Sequence, residues 1–463
     1  MTAPGLSFRG LRWLHGPYAA ADNVPGAAFH EMVELEDREG IARAGQIVAV
    51  RENSITLEVF GSTQGLSLGD AVLRCSGMPP RVGVGVDVLG RVLDSLGRPR
   101  DGLPAPVAVE ERPVEGLPIN PYRRECPCDC LETGFSAIDG LNTLTLGQKL
   151  PIFTQSGLPH DRMAAAILEH ARAPGVERFA IVFAGLGLPR EVAAQYEAAF
   201  RRSGARSHTV MVLSLADESA TERLLAPRTA LTLAEYLAWD LGLHVLVILT
   251  DVTNYGEAVR EVASARGEIP SRKGDPGYLY SDLASIFERA GRLRGRAGSI
   301  TQIPIVTLPA GDMTHPIPDL TGYVTEGQIV LDPKLHGRGI YPPVAVLPSL
   351  SRLMKSGIGA GKTREDHRVL ASLLYAGCAA AERARALEQI VGSDELTPRE
   401  RQYLAFADAF ERRFIAQADG ARRSMDMTLD VGWSVAAQLP REDLAAVDAT
   451  LLARRLPRQD AGS

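Results

Sequence analysis

Five short, continuously apolar runs punctuate the middle of this chain: LPIF (150–153), FAIVFAG (179–185), TVMVLSL (209–215), HVLVILT (244–250) and ITQIPIVTL (300–308). Between them lie stretches with helical spacing, among them 162–172, 191–202, 230–239 and 255–265. A strand that is apolar on both faces has to be covered on both faces. Helices that alternate with such strands do this by wrapping a parallel sheet. The centre of the chain is therefore read as an α/β domain, a parallel sheet with helices on both faces. Ligands of such a sheet collect at the C-terminal edge of its strands.

The flanks have different rhythms. Residues 45–75 alternate apolar and polar positions, broken by turn signals at 52–54 and 61–62, which predicts several short strands of a small β-barrel. From 81 to 125 the chain is rich in Gly and Pro and reads as a connector. After Gly361 it turns helical. A long helix is expected to open at Thr363–Asp366. Thr397-Pro-Arg-Glu400 reads as a capping box with proline at the first helical position, and Phe406, Phe410 and Phe414 share one helical face. A chain of 463 residues exceeds one ordinary core. The expected organisation is multidomain: an N-terminal β-barrel over 1–75, the α/β domain over 76–360 and an α-helical bundle over 361–463.

Charge and composition remove several function classes. A net charge of −6 gives no basic face for nucleic acid. No apolar run approaches the roughly 20 residues that span a bilayer. The N-terminal MTAPGLSFRG lacks a basic region followed by an apolar one, so no signal peptide and a cytoplasmic location are expected. The cysteines number 5, too few for a disulfide framework in a chain of this size. Cys126, Cys128 and Cys130 alternate on what reads as an extended segment. With no CxxC knuckle and no fourth ligand nearby they read as reduced linker thiols, and no metal site is expected.

The first apolar strand of such a domain normally leads into GxxxxGK[ST]. The loop's N–H groups cradle phosphates, its Lys neutralises charge and its hydroxyl holds magnesium. Here 150–153 is followed by Thr154, Gln155, Ser156, Gly157, Leu158, Pro159, His160 and Asp161. Pro159 takes the place of the second Gly, His160 that of the Lys and Asp161 that of the Ser/Thr. Proline has no N–H to offer a phosphate, and Asp161 brings negative charge to the place of triphosphate oxygens. Asp251, which closes HVLVILT, fits a Walker-B carboxylate. The loop reads as a degenerate phosphate site, either a regulatory nucleotide site or a half-site facing another chain. A second glycine-rich segment, 357–363, looks like a phosphate loop. Its first Gly is replaced by Ser356 and no buried strand precedes it, so Lys362 and Thr363 are expected to begin the helical domain.

Longer stretches carry a resemblance. ETGFSAIDGLNTLTLGQKLPIFTQSGLPH (132–160), HVLVILTDVTNYGEA (244–258), GSITQIPIVTLPAGDMTHPIPDLTGYVTEGQIVLD (298–332), YPPVAVLPSLSRLMKSGIGAGKTREDH (341–367) and LTPRERQYLAFADAFERRFI (396–415) resemble the B subunit of archaeal/vacuolar-type rotary ATPases. The resemblance implies a RecA-like, P-loop-type nucleotide-binding fold for the central domain, in a non-catalytic subunit that alternates with catalytic A subunits in a hexamer. Central and peripheral stalks would join that hexamer to an ion-translocating (proton or sodium) membrane sector. The chain would then be peripheral on the membrane through the complex. SGLPH is the usual B-subunit form of the loop, and Leu188 stands where catalytic relatives carry a water-positioning Glu. ATP or ADP with magnesium is expected at the A-subunit interface site, with none held confidently by this chain. The resemblance assigns Arg352, in PSLSR, as an arginine finger supplied in trans, with Ser349 and Ser351 supporting its loop. Tyr341 matches an adenine-stacking region, and any contact with nucleotide from Ser156–Asp161, Asp251 and Tyr341 is expected to be weak.

Ala345, Asp275, Ala310-Gly311 and the CPCDC segment depart from the family pattern and bear on the tuning of the interface. An independent P-loop motor would need the intact motif that is missing here. The catalytic A subunit would need it too, together with a large insertion. A scaffold subunit of the same fold with a residual regulatory nucleotide site is the alternative reading.

Overall fold

The structure is a computed structural model and describes residues 7–202 and 204–456. Its N-terminal part is a seven-stranded antiparallel barrel sheet, with Ser7–Arg9 and Trp13–His15 as the end strands of the order. Ala42–Arg51 and Ser54–Val59 form the hairpin predicted around 52–54. Leu35, Ile47, Leu57 and Leu73 fill the interior, where period-2 alternation puts them. The strands before residue 42 gave no sequence signal. They are three to five residues long, and Tyr18–Asp22 is mostly alanine.

The connector does more than wrap. Arg81–Val84 pairs with Glu110–Pro113, and Val92–Leu93 joins the central sheet beside Thr209–Leu215. That sheet runs in the order Val344–Ser351, Gly327–Leu331, Ile152–Thr154, Ser299–Thr307, His244–Thr250, Phe179–Leu188, Thr209–Leu215, Val92–Leu93. Along this path every neighbouring pair is parallel except the first, where Val344–Ser351 runs against Gly327–Leu331. Alternate residues face opposite layers. Ile181, Phe183, Leu246 and Ile248 pack with helices His160–His170 and Arg190–Arg202. Val182, Val210, Val245 and Val247 pack with Ala220–Glu235, Val252–Arg266 and Leu279–Phe287. Helix Ala220–Glu235 starts well before the expected residue 230. The Ser219/Glu222 capping box starts it, and the chain carries Pro227 within the helix.

The C-terminal helices His367–Val391, Pro398–Ala409 and Met425–Ala436 share one continuous core with the first of these layers. The Thr397/Glu400 capping box and N1 proline are present, and Phe406, Phe410 and Phe414 stack with centroids 5.8 and 5.1 Å apart. The long helix opens at His367, not across Thr363–Asp366. Arg364, Trp433 and Arg455 hold the Asp366 carboxylate, which fixes that residue ahead of the first turn.

Where barrel and nucleotide fold meet, Glu58 is fully buried. One of its oxygens accepts from the hydroxyl and N–H of Thr221, and the other has no hydrogen-bond partner. Burial pushes its carboxyl up to about 7, with Thr221 opposing and Glu261 adding repulsion. A raised folded pKa in an acid costs stability as pH rises. Below the ordinary value both states keep the proton, and between there and the folded value only the unfolded state releases it. Glu58→Gln is therefore expected to stabilise the protein at about pH 8, by on the order of 2 kcal/mol, with the advantage shrinking toward about pH 5. Denaturant melts of both proteins at the two pH values check this.

Candidate functional site

The parallel strands end together at one edge of the sheet, and the candidate nucleotide residues gather there. Ile152–Thr154 turns through 155–159 into helix His160–His170. Gly157 sits at φ +85°, a conformation glycine adopts without strain, and the Leu158 N–H closes a turn on the Gln155 carbonyl (3.1 Å). Ser156 and Gly157 are exposed, whereas Leu158 is packed into the core. Pro159 stands at the N-cap, with no side-chain cap to the helix and no N–H of its own.

The His160 ring folds back on its own loop, with Nδ1 2.9 Å from the Leu158 carbonyl and 3.4 Å from the Thr154 hydroxyl. The Asp161 carboxylate accepts from the Tyr196 hydroxyl of helix Arg190–Arg202 (2.8 Å) and lies 3.7 Å from His160 Nε2.

Asp251 reaches the same edge on strand His244–Thr250 and caps helix Val252–Arg266. One of its oxygens accepts from the N–H groups of Thr253 (2.8 Å) and Thr307 (3.2 Å). Burial holds the carboxyl above its usual range, against hydrogen bonds from Thr307 and Thr253 and the nearby His160. Leu188, where a water-orienting carboxylate would stand, is buried in the cluster that holds Phe183, Tyr196 and Leu213.

Tyr341 borders this site, but its ring is already covered. The Arg162 guanidinium lies 3.8 Å from the ring centroid and is itself held by Asp419 (2.7 Å), while Phe135 meets the ring edge-on at 6.1 Å. A guanidinium over an aromatic face is favourable, and here it covers one face of the Tyr341 ring. Burial pushes the Tyr341 hydroxyl up to about 12. Taken together, these residues do not fit a magnesium–triphosphate. The loop lacks an N–H at 159 and a lysine, His160 and Asp161 are engaged locally, and Arg162 covers one face of the Tyr341 ring. Arg162 and Tyr196 do much of this and went unnoticed in the sequence, because their partners lie on other elements.

Arg352 is elsewhere. Strand Val344–Ser351 pairs Val344 with Leu331 and Ser351 with Gly327, so it carries the chain back to the opposite, N-terminal edge of the sheet. The strand bulges between Ala345 and Leu350, and its ends lie opposite Leu331 and Gly327, four positions or roughly 13 Å apart along the partner strand, more than an arginine side chain spans. Arg352 is exposed, and its guanidinium makes no hydrogen bond or ion pair among the described residues; its N–H donates to the Glu326 carbonyl (3.0 Å). The Ser351 hydroxyl donates to the Thr143 carbonyl (3.0 Å). The Ser349 hydroxyl donates to the carbonyl of Ala345, one of the departures from the family pattern. Of the other departures, Asp275 is buried and Ala310 holds a positive φ of 52°.

The segment 357–363 follows an antiparallel strand and forms no phosphate loop. Gly359 and Thr363 bond to each other, and Lys362 reaches the Cys128 carbonyl and Asp129. Lys362 and Thr363 thus lie in the segment that leads into the helical domain's first helix. The three cysteines do not share one environment: Cys126 is exposed, Cys128 lies 3.7 Å from the Arg292 guanidinium, and Cys130 is buried against the Lys362 carbonyl.

Comparison with known proteins agrees with this architecture. Residues 15–76 match the β-barrel domain of the ATP synthase alpha/beta family, 134–351 its nucleotide-binding domain, and 356–456 the C-terminal domain of V and A type ATP synthase. The chain is 51% identical to the V-type ATP synthase beta chain 2 of Treponema pallidum, over 97% of this chain and 94% of that one. It is 49% identical to the B subunit of the A-type ATP synthase of Aeropyrum pernix, over 98% of each. The solved ATP synthase subunit NeqB from Nanoarchaeum equitans superposes with a TM-score of 0.72 at 34% identity, covering 89% of this chain and all of that one. With relatives this similar along nearly its whole length, the chain belongs to the family of V-type and A-type ATP synthase B subunits.

Proposed function

We propose that this chain is a non-catalytic member of an alternating hexamer, in which it lends Arg352 to the nucleotide site of a neighbouring catalytic A subunit. The observation that carries the reading is the position of Arg352: exposed, without a side-chain partner among the described residues, and at the sheet edge opposite the chain's own loop. An arginine is always charged and presents a planar fork that matches phosphate oxygens. Aimed at another chain's γ-phosphate, it would stabilise charge that develops during phosphoryl transfer. A regulatory nucleotide at the chain's own loop is disfavoured by Pro159 and by Arg162 over Tyr341. No helix among the described residues is long and apolar enough to cross a membrane. Coupling to proton or sodium movement would therefore pass through the stalk subunits to a membrane sector made by other chains.

Two outcomes are expected. The purified chain alone gives no magnesium-dependent ATP turnover above background, and His160→Lys does not create one, because the magnesium hydroxyl and the water-orienting carboxylate are still missing. Robust turnover by either protein, abolished by Asp251→Asn, contradicts this. In hexamers assembled with a catalytic A subunit, Arg352→Ala is expected to lower turnover per intact hexamer by roughly 10³–10⁵-fold while leaving assembly unchanged. Arg352→Lys is expected to rescue poorly, because a point charge does not reproduce the fork. An interface ion pair would instead cost about 1 kcal/mol of association and leave turnover unaffected.

A further inference from the structure

A lysine is almost completely buried beside the base of the Arg352 loop. Lys149 is 3% exposed, and its ammonium lies 2.8 Å from Glu288 and 3.0 Å from Glu326. Glu288 also pairs with Arg124, so two cations face two carboxylates. Withdrawing such charges from water is unfavourable, and apolar residues of similar volume commonly hold a fold as well or better. Stability alone therefore gives little reason for the network.

What the network fixes is the backbone under Arg352. The Glu326 carboxylate accepts the Lys149 N–H (2.7 Å), and the Glu326 N–H donates to the Lys149 carbonyl (3.0 Å). The Glu326 carbonyl then accepts the Arg352 N–H (3.0 Å) and the Gln148 side-chain amide (3.1 Å). That amide also donates to the Ser351 hydroxyl (2.9 Å), and Gln148 is itself oriented by the N–H and hydroxyl of Thr145. At Gly327 a Cβ would collide with the Leu350 carbonyl, so the two strands meet here at closest approach. The Arg352 guanidinium has no side-chain partner among the described residues, so its placement is set by the backbone it stands on.

We propose that Lys149, acting through Glu326 and together with Gln148, is a positioning residue for Arg352. It fixes the point from which the guanidinium enters the neighbouring subunit's site. The proposal rests on the trans-acting reading of Arg352.

The test is a double-mutant cycle on hexamers assembled with a catalytic A subunit, with kcat and KM for ATP measured per intact hexamer. Misplacing a reacting group by about 1 Å can cost on the order of 10²-fold in rate. Lys149→Met is accordingly expected to lower kcat by at least about 10-fold with KM unchanged, and Lys149→Arg to recover most of it. Added to Arg352→Ala, Lys149→Met is expected to cause no further loss. Wild-type kcat in Lys149→Met hexamers, or the same fold-loss in both backgrounds, overturns the proposal. Should Lys149→Met fail to assemble, Glu326→Gln keeps the shape and the carbonyl and goes through the same cycle with the same two outcomes. Failure of the underlying reading looks different: wild-type turnover in Arg352→Ala hexamers overturns both. A slow Arg352→Ala hexamer with an additive Lys149 effect overturns the positioning alone.

Discussion

Strand Val344–Ser351 pairs against Gly327–Leu331 at the edge of an otherwise parallel sheet, and this reversal carries the chain from one edge of the nucleotide fold to the other. Tyr341 precedes the strand at the edge where the loop 155–159 and Asp251 collect, and Arg352 follows it at the far edge. The strand therefore borders two places at opposite edges of the sheet, and what happens at one end need not disturb the other. Polar contacts at Ser351, Gln148 and Glu326 fix its far end, while the Ser349 hydroxyl ties the bulge back to Val330 and Ala345. The near end is held by the Tyr341 carbonyl, which accepts the Gln417 N–H (2.7 Å).

The loop lacks the lysine and hydroxyl of GxxxxGK[ST], yet its strand-loop-helix order is intact. The residues that replaced the motif serve local structure. His160 closes the turn, Asp161 joins two helices through Tyr196, and Arg162 seals Tyr341. Leu188 adds to the core at the point where a carboxylate would have been buried beside apolar neighbours. A buried charge without a partner is costly, and each of these polar side chains finds a local partner.

Much of this was legible from residue pattern. The central strands announced themselves because a sheet covered on both faces needs unbroken apolar runs, and the Thr397/Glu400 box because its two bonds are local. The barrel's first strands did not, since three to five residues rich in alanine carry too little alternation. Pro227 hid the first half of helix Ala220–Glu235, because burial there overrides the cost of a proline. The loss of the phosphate loop could be read from Pro159 and His160, but the Arg162–Tyr341 stack could not, because it joins distant segments. Lys149 was equally silent: a lysine beside a strand reads as surface until its carboxylate partners are placed in space.

The central claim is that Arg352 acts on charge developing in a neighbouring subunit's site. The most direct measurement is the affinity of assembled hexamers for magnesium–ADP with a planar aluminium fluoride mimic of the transferring phosphoryl group. It is compared with affinity for a non-hydrolysable ATP analogue, in wild-type and Arg352→Ala proteins. A transition-state contact predicts that the variant loses at least about 10²-fold in affinity for the mimic and changes little toward the ground-state analogue. Equal affinity of wild type and variant for the mimic, or an equal loss for both ligands, would contradict it.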